Sequence, residues 1–300
     1  MYKLTEAQIQ SFHKKGWLGP LDTFSSTEVE LVGKQLREIS QVKEIEGFEV
    51  VSFYNKYMDC YTPRDHHFAC ESVTKLFADK RIIQRLNQLG KTDLLLWRTN
   101  IFHRMPGQAG IGWHQAFDYY GFDVDETKRR DLDFPKDEDI LDLVVWVAIE
   151  DVTPEIGTLR FANGSYNTRF KIIKTPVDQG TYPEQKYYVS GNQSKSYAKS
   201  YDFNEDEWEI ETLPEIKAGQ IVIFTERVMH SAPANLSQQE RFAINGRYIY
   251  PRVTVYPDRL AGDYIDNYGR DISNHFCVLV SGKDNFGVNV VKEGKPMNQT

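Results

Sequence analysis

The chain has 300 residues, a net charge of −7 and 40% hydrophobic residues. It has enough apolar material for a sizeable core, while the acidic balance argues against nucleic acid as a partner, because phosphates call for a basic face. Three cysteines, Cys60, Cys70 and Cys277, lack metal-ligand spacing and read as reduced thiols of a cytoplasmic protein.

The first ninety residues carry helical signals. "MYKLTEAQIQSF" lacks the basic-then-apolar pattern of a secretory leader. Thr5 is placed to cap a helix that ends at Gly16, and Ser26 or Thr27 to cap a second. A third is expected over "SVTKLFADKRIIQRLNQLG", closing at Gly90. From there the period changes. "DLLLWRTNIFH", "LDLVVWVAIEDV", "GTLRFANGS", "GQIVIFTERVMH" and "RFAINGRYIYPRVTVYP" are β-branched or aromatic runs bounded by Gly, Pro or Asn, and read as strands. The longest strongly apolar run, Leu143–Ile149, is too short to span a bilayer. Helices followed by strands predict an α+β fold. With no repeat, low-complexity tract or linker, residues 1–300 read as a single domain, 1–90 mainly helical and 91–300 mainly β. The charged stretch from about Tyr120 to Asp139 reads as a lid or a solvated insertion.

The stretch "WHQAFDY" raises a chemical question. A strand bearing His-x-Asp or His-x-Glu offers one metal an imidazole and a carboxylate, but here His114 is followed at the second position by Ala116. A second histidine, His230, follows the strand "QIVIF", with Arg241 eleven residues later. On a strand, Arg241, Ala243, Asn245 and Arg247 share a face, so Arg247 points into the same space as Arg241. Asp118 lies two residues past Ala116 on the same face, roughly 7 Å along the strand from the usual carboxylate position, and reaches a metal only through a bulge. His66-His67 read as surface histidines, and His103 as a residue of a turn or of the cavity mouth.

Taken together, "WHQ", "GTLRFANGS" and "AGQIVIF…MHSAPANLS…R" resemble the phytanoyl-CoA hydroxylase family of Fe(II)/2-oxoglutarate oxygenases. "GWLGPLDTFS", "LLLWRTNIF…PG…WHQA" and "GRYIYPRVTVYPD" extend the likeness to its halogenase branch, of which the syringomycin-pathway threonyl halogenase is typical, over nearly the whole chain. The resemblance implies a double-stranded β-helix (jelly-roll or cupin-like) with the N-terminal helices packed on it. It implies Fe(II) on His114 and His230, 2-oxoglutarate on Arg241 beside Trp146, and O2 as co-substrate. A chloride is expected where Ala116 leaves out the carboxylate, with Arg247 in the polar shell around it. An iron centre with about six positions and unbalanced charge accepts an anion in such a gap. The implied activity is halogenation of an aliphatic C–H bond, on an aminoacyl or acyl group tethered by phosphopantetheine to a carrier protein. A free small molecule, a hydroxylase and a non-catalytic binding protein stand as alternatives. Glu226, Tyr119 and Asn100 are candidate substrate-pocket residues. Asn100 stands where the branch has a glutamate, Ile111 and Val144 where it has threonines, Gly121 for an asparagine and Glu226 for a serine.

Overall fold

The computed structural model describes residues 2–45, 48–90, 92–115, 130–139, 141–176, 197–266 and 270–293. The helices are α1 (Glu6–Lys15), α2 (Ser26–Glu38), α3 (Glu71–Phe77) and α4 (Lys80–Leu89). The strands in chain order are β1 (Trp17–Leu21), β2 (Ser40–Ile45), β3 (Phe48–Asn55), β4 (Cys60–Tyr61), β5 (Leu94–Arg104), β6 (Ile111–His114), β7 (Leu132–Asp133), β8 (Leu143–Ala148), β9 (Arg160–Ala162), β10 (Ile172–Pro176), β11 (Tyr197–Tyr201), β12 (Ile210–Thr212), β13 (Ile221–Phe224), β14 (His230–Ala232), β15 (Arg241–Ile249), β16 (Thr254–Val255), β17 (Cys277–Ser281) and β18 (Val291–Glu293).

The helix termini follow their sequence signals. Thr5 and Gln8 form a reciprocal capping box, and Gly16 closes α1 in the left-handed conformation at φ 88°. The second cap is Ser25, one residue before the expected Ser26. Its box partner Glu28 is held down at about 2, first by hydrogen bonds from Arg81 and then by the Ser25 amide. The third expected helix is two. Asp79 accepts a hydrogen bond from the Arg81 amide at 2.8 Å and starts α4 afresh, so a helix-capping residue in mid-run divides the pattern. The helical reading of the first ninety residues also needs correction at β1 and at β2–β4. The "FEVVSFY" stretch carries a strand composition that was there to be read.

Among the described residues, the main sheet has the order β1-β13-β8-β15-β5-β17-β18, antiparallel except for β17 with β18. A four-stranded sheet, β12-β9-β14-β6, carries both candidate metal histidines. Strand alternation gives the main sheet two faces. The outer residues Val145, Val147, Ile244 and Tyr248 join α1–α4 in one apolar cluster. The inner residues Val144, Trp146, Ala148, Val222, Phe224 and Ala243 pack with Phe161, Leu159 and Ala232 of the small sheet and its flanks. Trp17 stacks on Phe161 at 4.8 Å and Phe161 meets Phe224 at 5.4 Å, so the two sheets face each other across this second cluster. The result is a mixed α/β fold built on a large, mainly antiparallel sheet. No helix among the described residues is long and apolar enough to cross a membrane.

The first half of the expected lid, residues 120–129, lies outside the described residues. Its second half is tied down: β7 pairs with β16, and Asp131, fully buried, accepts from Arg98 at 2.8 Å. The histidine pair at 66–67 is also corrected. Both side chains are buried, with His66 Nε2 at 2.7 Å from the Thr62 carbonyl and His67 Nδ1 at 3.0 Å from the Thr99 hydroxyl. His103 faces the helical side, against Phe53 and Phe242, and pairs with Glu240 at 3.0 Å.

Gly246 marks where α3 comes down on the sheet. A Cβ there would lie 2.5 Å from Phe77 Cδ1, inside a ring that is wholly buried, while Tyr248, two residues on, donates its hydroxyl to the Phe77 carbonyl at 2.7 Å. Gly246→Ala is expected to destabilise the fold by about 1–3 kcal/mol through overpacking. Denaturant unfolding measures this, and an unchanged midpoint would refute the close-packing account.

Candidate active site

The two histidines occupy directly opposed positions of the β14/β6 ladder. Their ring centroids lie 4.1 Å apart. Each Nδ1 sits 2.8 Å from the carbonyl two residues earlier, Gly112 for His114 and Val228 for His230. A carbonyl only accepts, so Nδ1 carries the proton and the lone pair is on Nε2. Burial, with His114 and Arg247 adding to it, holds His230 well below the usual histidine range, so its ring is neutral at ordinary pH. Two neutral imidazoles with fixed tautomers, side by side on one short ladder, are a donor set for one transition metal. Among the described residues no cluster of three or more His, Cys, Asp or Glu is arranged for a metal.

The main sheet supplies the opposite wall, in cross-strand rows fixed by register. Arg241 faces Arg104; Ala243 faces Ala148 and Phe102; Asn245 faces Trp146 and Asn100; Arg247 faces Val144 and Arg98. The shared face expected for Arg241, Ala243, Asn245 and Arg247 is therefore present. Arg241 is 1% exposed and its guanidinium lies 5.4 Å from the Trp146 ring centroid. It makes no hydrogen bond or ion pair among the described residues. Burial, and after it the neighbouring Arg104, press against its charged form. A guanidinium keeps its proton in proteins, so this stress calls for an anion. A carboxylate-bearing ligand fits.

Arg247 has a partner that the sequence did not reveal. Its Nε lies 2.8 Å from Glu226 Oε1, and its Nη1 donates to Glu226 Oε2 at 3.1 Å. Glu226 is buried; that burial raises it to about 8, opposed by Arg247 and aided by the carboxylate of Asp142. Asn100 and Asn245 stand next to each other with both carboxamide oxygens buried and without a hydrogen bond. Ala116, Asp118, Tyr119 and Gly121 lie outside the described residues.

Gln115 was missed. It is buried, and its Nε2 donates to the carbonyls of Thr168 at 3.1 Å and Arg227 at 2.9 Å. Its Oε1 accepts from the Phe170 amide at 2.8 Å, and its own carbonyl accepts from the Tyr201 hydroxyl at 2.7 Å. The side chain thus ties the end of the His114 strand to the loop before His230 and to the segment before β10, and the Gln115 main chain is tied to β11. Its partners lie 53 to 112 residues away in sequence, so no local pattern announces them.

Comparison with known proteins agrees with this architecture. The structure is similar to "CytC3 with Fe(II) and alpha-ketoglutarate" at 21% identity and a TM-score of 0.66, covering 97% of this chain and 93% of that one. It is also similar to the "Non-heme monooxygenase, ThoJ-Ni complex" at 19% identity and a TM-score of 0.58, covering 97% and 89%. The epimerase SnoN, in complex with Fe3+, alpha ketoglutarate and nogalamycin RO, matches at 15% identity and a TM-score of 0.60, covering 98% and 95%. At these identities the likeness is one of fold. No curated protein matches the sequence. The family model described as phytanoyl-CoA dioxygenase (PhyH) matches residues 12–243. That span contains both histidine strands and Arg241, and the chain belongs to this family of non-haem iron, 2-oxoglutarate-dependent oxygenases.

Proposed function

We propose that this enzyme is an Fe(II)/2-oxoglutarate- and O2-dependent aliphatic halogenase with a double-stranded β-helix core. The observation that carries the reading is Ala116, two residues after His114, in a chain that retains His114, His230 and Arg241. Loss of all function gives no reason to keep two tautomer-fixed imidazoles side by side together with a buried guanidinium that has no ion pair among the described residues. A methyl group in place of a carboxylate leaves one coordination position and one negative charge to be supplied from outside. Chloride supplies both. When bound, iron and 2-oxoglutarate furnish the oxidising power that breaks an unactivated C–H bond. The chain's own residues do the rest: His114 and His230 hold the metal, Arg241 beside Trp146 orients 2-oxoglutarate through its distal carboxylate, and Arg247, next to His230, contributes positive charge near the anion. Asn100, Glu226 and Tyr119 are assigned to the substrate pocket. By the resemblance to the halogenase branch, the substrate is an aminoacyl or acyl group on a phosphopantetheine arm of a carrier protein.

Either His114→Ala or His230→Ala removes half of the protein's metal ligands. Anaerobic addition of Fe(II) and 2-oxoglutarate is expected to give a charge-transfer band in the parent protein and none in these variants; a parent-like band in either would refute the assignment. Arg241→Ala leaves the distal carboxylate without its counter-ion. Breaking a buried pair costs about 3–5 kcal/mol, so 2-oxoglutarate affinity is expected to fall by two orders of magnitude or more with Fe(II) affinity retained.

If chloride completes the site, it tightens 2-oxoglutarate binding, and 2-oxoglutarate tightens chloride by the same factor, since linkage is reciprocal. Ala116→Asp is expected to abolish that coupling and chlorination together. The measurement is 2-oxoglutarate affinity with and without chloride at fixed ionic strength, followed by product mass spectrometry. Chloride-independent binding with only hydroxylated product would replace the halogenase by a hydroxylase.

A further inference from the structure

Arg104 has no part in the assignment above, yet the fold presses it against the residue that does. It is directly opposite Arg241 in the β15/β5 ladder, and both side chains are more than nine-tenths buried. Two like charges held together away from water repel, and a carboxylate between them removes the repulsion. Arg104 also leans toward the histidine sheet. Its Nη1 donates to the Pro233 carbonyl at 2.7 Å and lies 3.4 Å from the Ala232 carbonyl. Ala232 is the register partner of Ile111. The Arg104 guanidinium therefore reaches from the main sheet to the histidine sheet beside a buried cation that has no ion pair among the described residues.

We propose that Arg104 is a second cosubstrate-binding residue, so that the distal carboxylate of 2-oxoglutarate is held between Arg104 and Arg241. This rests on the 2-oxoglutarate site proposed above. Through its bonds to the carbonyls of Ala232 and Pro233, Arg104 also joins the carboxylate pocket to the strand that begins at His230. The pocket is then selective for 2-oxo acids with a second carboxylate, and discriminates against 2-oxo acids that end in a methyl group.

The test compares 2-oxoglutarate with 2-oxobutyrate, which keeps the metal-binding end and lacks the distal carboxylate. Dissociation constants are measured anaerobically on the Fe(II) protein from the charge-transfer absorbance, for the parent, Arg104→Gln, Arg104→Lys and Arg241→Gln. Arg104→Gln is expected to weaken 2-oxoglutarate about tenfold or more, the scale of a lost hydrogen bond to a charged group, and to change 2-oxobutyrate less than threefold. Arg104→Lys, which keeps the charge, is expected to fall between. The 2-oxobutyrate titration reports in the same sample that the metal site is intact. Equal weakening of both acids by Arg104→Gln would make Arg104 a purely structural residue, and no weakening of either would remove it from the site; both results overturn the proposal. If Arg241→Gln also leaves 2-oxoglutarate unchanged, the carboxylate pocket itself is misassigned. If Arg241→Gln weakens it and Arg104→Gln does not, only the role of Arg104 falls.

Discussion

Strand β15 lies between β8 and β5 and is antiparallel to both. Because side chains alternate along a strand, this single placement sends Arg241, Ala243, Asn245 and Arg247 inward while Phe242, Ile244, Gly246 and Tyr248 meet the helices. The same ladders align Arg104, Phe102, Asn100 and Arg98 from one side and Ala148, Trp146 and Val144 from the other. The site's wall is therefore a set of rows: two cations, a small apolar gap, two amides beside an indole, then two cations again. A slip of one residue would turn every one of these groups into the helical core and bring Ile244 and Tyr248 into the cavity. Burial on both faces makes that slip very costly, so the hydrophobic patterning that folds the sheet also fixes the order of the chemistry. At the far end the pairing with β5 shifts by one residue, Arg247 lying opposite Arg98 and Tyr248 opposite Leu96, while the pairing with β8 continues in register.

The inner wall gathers four arginines in a chain of net negative charge, and each has a different setting. Arg98 is bonded to Asp131 and to the Tyr256 hydroxyl. Arg247 is paired with Glu226, Arg104 is bonded to main-chain carbonyls, and Arg241 has only the face of Trp146. An arene face contributes about 0.5–2 kcal/mol to a cation, less than the several kcal/mol that burial of the charge costs. The imbalance at Arg241 is thus larger than its surroundings offset, which marks a ligand site. The Arg98–Asp131 pair acts at the other end of the wall. It anchors the chain at Asp131, just before β7.

What could be read from the sequence divides along the range of the interactions. The caps at Thr5 and Gly16, the strands around Trp146 and Arg241, and the inward run from Arg241 to Arg247 are local or periodic, and local periodicity is visible in a single chain. The Asp79 cap inside an apparent helix was equally local and was passed over because the apolar spacing continues through it. The Gln115 clamp, the Arg247–Glu226 pair and the Arg104–Arg241 opposition depend on which strands become neighbours. No spacing rule states that. His66 and His67 show the same limit from the other direction: as an adjacent pair of polar residues they suggest surface, and only the carbonyl of Thr62 and the hydroxyl of Thr99 make their burial tolerable.

Relatives with this fold carry names as different as monooxygenase, epimerase and carbocyclase, so the fold alone does not select an outcome. Selection falls to the charges around the metal position. Glu226 sets a buried carboxyl group against Arg247. Were Glu226 fully ionised, it would cancel the charge of Arg247 and make the site inhospitable to a second anion. Burial, opposed by Arg247 and aided by the adjacent Asp142, instead holds it above the usual carboxylate range. The pair then fixes the direction of the guanidinium through the Nη1–Oε2 hydrogen bond and the close Nε–Oε1 approach, and a carboxyl held back from ionisation cancels less of its positive charge. In the halogenase proposed above, the carboxyl group would place Arg247 while the positive potential that Arg247 brings to His230 is retained.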